Sequence, residues 1–232
     1  MIILAIDASG EWCSAAVGGA GGFVERSEHV GQRHAERMLP MVQAVLRECS
    51  TSLGGLQGIA FGAGPGAFTG LRIACGIAQG LAFGAGLPVV AVGSLEAMAE
   101  SARCATGAER VIAALDARMR QVYLAAYAWR SGAWQAMLQP IVADPADVPM
   151  PDGDGWVGAG NGFAAHPALA ERLAPAVARI DASIVPLASH VGALAMPRFA
   201  RGDVVQAEDA APLYVRQRVA LTTAERRAGQ VL

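Results

Sequence analysis

ILAIDASGEWCSAAV, residues 3–17, is an aliphatic run that ends in an aspartate, followed by a polar turn and a second apolar run. The same plan returns as VIAALDARMRQVYLAAY at residues 111–127, with Asp116 standing where Asp7 stood. Short aliphatic runs bounded by turn residues read as buried strands. A strand–Asp–turn–strand unit used twice predicts two related α/β lobes with a cleft between them. The junction is expected within the polar stretch Ala102–Arg110, giving an N-terminal lobe over 1–105 and a C-terminal lobe over 106–232.

The segments around these copies fill in the α/β pattern. Phe23–Val30 reads as a third strand. Arg33–Cys49 places Ala35, Met38, Leu39, Val42, Val45, Leu46 and Cys49 at the spacing of one helix face. Pro40 inside it predicts a kink or a late start. Leu56–Phe61 is a strand, Phe68–Gly84 a helix and Leu87–Val92 a strand. Ser94 is placed to cap a helix beginning at Leu95. In the second half, strands are expected near Trp134–Val142 and at Trp156–Ala159, with helices over Ala164–Leu173 and Ser189–Arg201.

Composition excludes several chemistries. The net charge is −2, so no global basic field draws the chain to nucleic acid. All 18 basic residues in the Lys+Arg count are arginines. Without lysine there is no Schiff base, no catalytic lysine and no P-loop lysine. Cys13, Cys49, Cys75 and Cys104 form no CxxC pair, which fits free thiols in a reducing, cytoplasmic compartment. MIILAID has no basic leader and meets an aspartate at once, unlike a signal peptide. Ile73–Leu95 is uncharged and long enough to span a bilayer, but glycines, Gln79 and Pro88 break it into helix, turn and strand.

Candidate site residues gather around the first repeat unit. Asp7 with Ser9 either caps its own turn or presents a carboxylate to a metal-bound water or nucleotide phosphate. The loop GAGPGAFTG, residues 62–70, lies between a strand and a helix. Gly64, Gly66, Thr69 and Arg72 are its anion-binding candidates. GxxxxGK[ST] is absent, and the same glycines would equally serve a tight crossover. Asn161 either meets a ligand at the far lip of the cleft or occupies a left-handed turn position. His29, His34, His166 and His190 form no metal-binding spacing, and no nucleophile motif is present, so neither a metal site nor a catalytic residue is assigned. Gly76, Gly80 and Gly84 recur at every fourth helical position, each costing about 1 kcal/mol relative to alanine. Close approach of another backbone, within the fold or across an interface, would explain them. The locally basic stretch Tyr214–Arg218, with Arg226 and Arg227, reads as a solvated face.

Taken in order, ILAIDAS, CSAAV, RHAERMLPMV, IAFGAGPGAFTGLRIACGIAQGLAFG, PVVAVGSLEAMA, ALDARMRQVYLA and PLYVRQRVA resemble the bacterial TsaB family over nearly the whole chain. GPGAFTGLR and DARMRQVY are its most specific parts. The resemblance implies an actin-like, RNase-H-like two-lobed fold. It implies a non-catalytic paralogue of TsaD which, with TsaD and the small ATPase TsaE, makes N6-threonylcarbamoyladenosine beside the anticodon of tRNAs reading ANN codons. Aligned on the Pro88–Val92 strand, Ser94 and Met98 stand where the catalytic paralogue carries its metal-binding histidines. The first two helices are expected to dock on TsaD, or on a second copy when alone, through Met38, Leu39, Val42, Leu71, Gly76, Gln79, Gly80 and Phe83. No tightly bound cofactor is implied beyond ATP or ADP at that junction, and tRNA is reached only through the complex. A stand-alone actin-like kinase or phosphatase using Asp7, Thr69 and the loop is the alternative; it lacks a second acid or base.

Overall fold

A computed structural model describes residues 1–216. The basic stretch expected at Gln217–Arg218 and Arg226–Arg227 lies outside them. Among the described residues, ten strands form two five-stranded mixed sheets. The first sheet contains β1 (Ile3–Asp7), β2 (Trp12–Gly19), β3 (Gly22–His29), β4 (Ile59–Gly64) and β5 (Val89–Gly93), in the order β3-β2-β1-β4-β5. The second contains β6 (Arg110–Asp116), β7 (Val122–Arg130), β8 (Ala133–Ala143), β9 (Trp156–Ala159) and β10 (Val177–Asp181), in the order β10-β9-β6-β7-β8.

In each sheet the first strand runs antiparallel to the second and parallel to the fourth. The second sheet therefore repeats the first strand for strand, the duplicated actin-like arrangement. β10 completes the repeat and was not expected from sequence. Its residues, VARID, are largely exposed and lack apolar alternation. The fully buried β1 shows the opposite case. Leu4 and Ile6 join one core cluster while Ile3 and Ala5 join another, so a strand covered on both faces reads as one aliphatic run.

Helices cover these faces. α1 (His34–Glu48) and α2 (Phe68–Ala85) pack on one face of the first sheet through Met38, Met41, Val42, Val45, Ala74, Ala78 and Ala82. α1 begins at His34 and runs through Pro40, so the late start is not seen. α2 is long and apolar enough to cross a membrane by composition alone, yet one face of it belongs to this core. α3 (Ser94–Thr106) packs Leu95, Met98, Ala99 and Ala102 against the second sheet. α4 (Gly162–Ala165) and α5 (Pro167–Leu173) cover the other face of that sheet with Phe163, Leu169 and Leu173. A single helix was expected there; Pro167 divides it, because His166 before it is held out of the helical region at φ −133° and ψ 87°.

α6 (Ala188–Arg201) crosses the expected division of the chain. It lies within 106–232 but packs Ala188, Val191, Ala195 and Phe199 on the first sheet, against Ile3, Ala5, Ala60, Val90 and Val92. The first lobe's second face is thus closed by residues that follow the second lobe in sequence.

Candidate functional site

The carboxyl ends of the parallel strands β1, β4 and β5 converge, the usual place for a site in an open α/β sheet. Asp7 ends β1 and is 1% exposed. Its Oδ1 accepts from the Ser9 N–H at 3.0 Å and from the Ser9 hydroxyl at 2.9 Å. Oδ2 has no partner among the described residues. Burial pushes the carboxyl up to about 7, against the pull of the two Ser9 bonds. Both Oδ1 bonds thus lie within Asp7's own turn.

The glycine loop is closed by that same turn. A side chain at Gly62 would strike the Asp7 carboxylate, one at Gly66 the Ser9 carbonyl, and one at Gly70 the Ala8 carbonyl. The Ser9 carbonyl also accepts from the Ala67 N–H at 2.7 Å, just before α2 begins. From the other side, the Leu213 N–H donates to the Ala63 carbonyl at 2.7 Å, and the Leu213 carbonyl lies over Gly64. A phosphate group needs the concavity before a helix start to be open. Here the protein's own backbone approaches the loop from both sides and takes up the Ala67 N–H.

The remaining candidates are engaged elsewhere. Thr69 is exposed in the first turn of α2. Arg72 donates to the Tyr214 hydroxyl at 3.1 Å and lies 3.9 Å from the Phe68 ring centroid, so it is not aimed at Asp7. Ser94 does not cap α3; its hydroxyl accepts from the Gly64 N–H at 3.0 Å. Met98 is fully buried, packed where a Cβ on Gly160 would meet its sulfur at 2.5 Å.

The second lobe places a different set at the equivalent point. Asp116 ends β6; its Oδ1 accepts from the Arg118 N–H at 2.9 Å and lies 3.1 Å from His166 Nε2. Arg118 pairs with Asp116 at 3.2 Å and reaches Glu11 of the first lobe at 3.6 Å. Asn161 is right-handed at φ −67°, not left-handed; Gly160 carries the positive φ of 104°. Its Oδ1 accepts from the Asp116 N–H at 3.0 Å, tying β6 to the end of β9. Sequence reasoning named Asp116 and Asn161 but missed His166, Glu11 and Arg118 as their company. Residues 50 apart in sequence carry no local spacing to betray the Asp116–His166 pair.

The expected docking residues divide into two sets. Met38 is 0% exposed, and Val42 and Leu71 are 2% exposed, so they belong to the core and offer nothing to a partner. Leu39 is 43% exposed and Phe83 78% exposed. Gly76, Gly80 and Gly84 are exposed, and nothing lies within 4 Å of a Cβ built on any of them. Close approach within the fold therefore does not explain this glycine stripe. Gln79 is half-buried, its amide donating to the Ala210 carbonyl at 2.9 Å.

Comparison with known proteins adds relatives to this geometry. The pattern of the family described as TsaD, tRNA N6-adenosine threonylcarbamoyltransferase, matches residues 19–211. The tRNA threonylcarbamoyladenosine biosynthesis protein TsaB of Escherichia coli is 40% identical over 226 residues, 95% of this chain and 96% of that protein. Its counterpart in Haemophilus influenzae is 33% identical over 228 residues, 94% of this chain and 95% of that one. The solved structure of YeaZ from Pseudomonas aeruginosa superposes with a TM-score of 0.86 at 42% identity, covering 92% of this chain and 99% of that one.

Proposed function

This chain belongs to the TsaB family, and from that premise we propose that it is a non-catalytic subunit that docks on and activates a TsaD-like threonylcarbamoyltransferase. Its general role is in tRNA threonylcarbamoyladenosine biosynthesis. The observation that carries the finer reading is the outer face of α2. Leu71, Ala74, Ala78 and Ala82 hold one side of that helix in the core, while Gly76, Gly80 and Gly84 leave the opposite side bare beside the exposed Phe83. Three glycines exposed on a helix cost about 1 kcal/mol each. That cost is offset if a partner helix approaches to backbone distance, as small residues allow.

In this reading the catalytic partner supplies the metal. Ser94 and Met98 occupy the positions of its histidines and serve packing and a main-chain bond. The modified base is the adenosine beside the anticodon in tRNAs reading ANN codons. A TsaE-like ATPase completes the assembly, and any ATP or ADP sits at the junction with TsaD. tRNA is reached through the complex, and a second copy takes the same face when TsaD is absent. The kinase or phosphatase alternative is not favoured: the Ser9 carbonyl takes up the Ala67 N–H at the loop, and the sequence has no lysine to clamp phosphates.

The test is reconstitution. Purified chain, its TsaD-type partner and the TsaE-type ATPase are combined with tRNA, and threonylcarbamoylation is measured with each component omitted. Activity should require this chain, while the chain alone should turn over no ATP and hold no stoichiometric metal. Full activity without it, or robust turnover by it alone, would refute the scaffold role.

A further inference from the structure

The last described residues run from one lobe to the other. Val205 pairs with Val89 through two main-chain bonds of 2.9 Å at the edge of the first sheet. Ala207 and Ala210 are buried in the α1–α2 core, where the Ala210 carbonyl accepts from Gln79 at 2.9 Å. Leu213 then bonds Ala63 across the glycine loop. The Tyr214 ring lies 5.7 Å from the Phe68 ring, and its hydroxyl accepts from Arg72. Two residues on, Arg216 is in the second lobe. Its Nη2 donates to Gln121 Oε1 at 2.7 Å, its Nη1 lies 3.5 Å from Met119 Sδ, and its guanidinium sits 5.6 Å from the Tyr123 ring.

The turn that receives Arg216 is strained. Arg118, Met119 and Arg120 have φ of 59°, 52° and 58°, three successive non-glycine residues in the left-handed region. Such conformations persist where surrounding contacts overdetermine them. Here Ala117 N–H bonds Gln121 O and Gln121 N–H bonds Arg118 O, both at 3.0 Å, while Asp116 and Glu11 hold Arg118. Gln121, the residue that closes this ring of bonds, is the one Arg216 grips.

We propose that residues 213–216 are a latch that fastens the two lobes across the cleft, and that the strained turn at 118–120 is the element it holds in place. Three features point the same way: one end of the segment covers the glycine loop, the other ends on the strained turn, and only Val215 separates Tyr214 from Arg216. Released, the segment frees Gly64 on one side and lets the turn relax on the other. The two events share one covalent connection.

Amide hydrogen exchange on the full chain tests this. Arg216→Ala should speed exchange at Ala117 and Gln121 about tenfold, with amides in the centre of β1 and β6 unchanged. Gln121→Ala should accelerate Ala117 to the same extent, and the double variant should add nothing further. Leu213→Pro, which removes the donor to Ala63 at an exposed residue, should accelerate the same turn from the other lobe. Unchanged exchange at 117–121 in Arg216→Ala overturns the proposal. So does a uniform rise across both sheets, which would make Arg216 an ordinary contributor to global stability.

Discussion

Asp7 is sealed from water with one oxygen unpartnered among the described residues, and this has a pH signature. Its folded-state value of about 7 lies above the ordinary 3.8, so the folded chain keeps a proton that the unfolded chain has already lost. The stability this proton provides is full below about pH 4, declines as pH rises to about 7, and is gone above that. The span corresponds to about 4 kcal/mol at 1.36 kcal/mol per pKa unit. Asp7→Asn keeps an acceptor for Ser9 and removes the charge. Relative to wild type, it should be more stable at about pH 8 and lose that advantage by about pH 4. A wild-type-to-variant difference in urea midpoint that is flat with pH would contradict the assignment. The aspartate was legible in the sequence as a strand end. Its isolation was not, because burial depends on Gly62 and on an α2 start that arrive much later in the chain.

At the scale of the element, the segment from β4 through α2 carries the same glycine spacing twice with opposite meanings. Gly62, Gly66 and Gly70 lead into it and face the Asp7–Ser9 turn; Gly76, Gly80 and Gly84 continue along it and face outward. Gly70→Ala should therefore destabilise the protein by about 3 kcal/mol, since the added methyl meets the Ala8 main chain, which cannot step aside. Gly80→Ala should stabilise it by up to about 1 kcal/mol, through helix propensity alone. Chemical denaturation of the two variants side by side decides this; equal losses would mean that the outer glycines are packed after all. Gly80→Leu should leave the unfolding transition intact and abolish co-elution with the TsaD-type partner on size exclusion. Unaltered co-elution would remove α2 from the interface. Periodicity could not separate the two glycine series, because the repeat is the same and only what lies opposite differs. Met38, Val42 and Leu71, expected at the interface from the family resemblance, are buried in the chain's own core: an apolar stripe names the buried face without saying what buries it. Leu39 was expected on the α1 stripe yet is exposed, as is Phe83 on α2, and exposed apolar residues of that kind are the better guide to a partner.

The whole molecule is an arrangement of layers in which α3 and α6 lie between the sheets. Repetition of the strand–Asp–turn–strand unit made the two lobes readable, since both copies keep their aliphatic runs. The return of α6 to the first sheet was not readable, because an amphipathic helix carries no address. Phe199 shows what depends on that return: it is 9% exposed, and a Cβ on Gly58 would meet its ring. Phe199→Ala should cost about 3–5 kcal/mol, measured by thermal or urea unfolding. A fragment ending at Thr106 should fail to unfold cooperatively, although it contains every strand of the first sheet. A sharp transition from that fragment would show that α6 is dispensable.

The placement of α6 also sets an order of events on the ribosome. Residues 3–92 emerge first, but the helix that covers Ile3, Ala5, Val90 and Val92 spans 188–201. At about 5–20 residues per second, the roughly 100 residues between them take about 5–20 s to synthesise. The second sheet with α3, α4 and α5 is continuous from 94 to 181 and needs nothing made later for its two main clusters beyond Ile184. The lobe that is translated first is thus the one completed last, and for those seconds its bare apolar face is in the care of whatever meets the nascent chain.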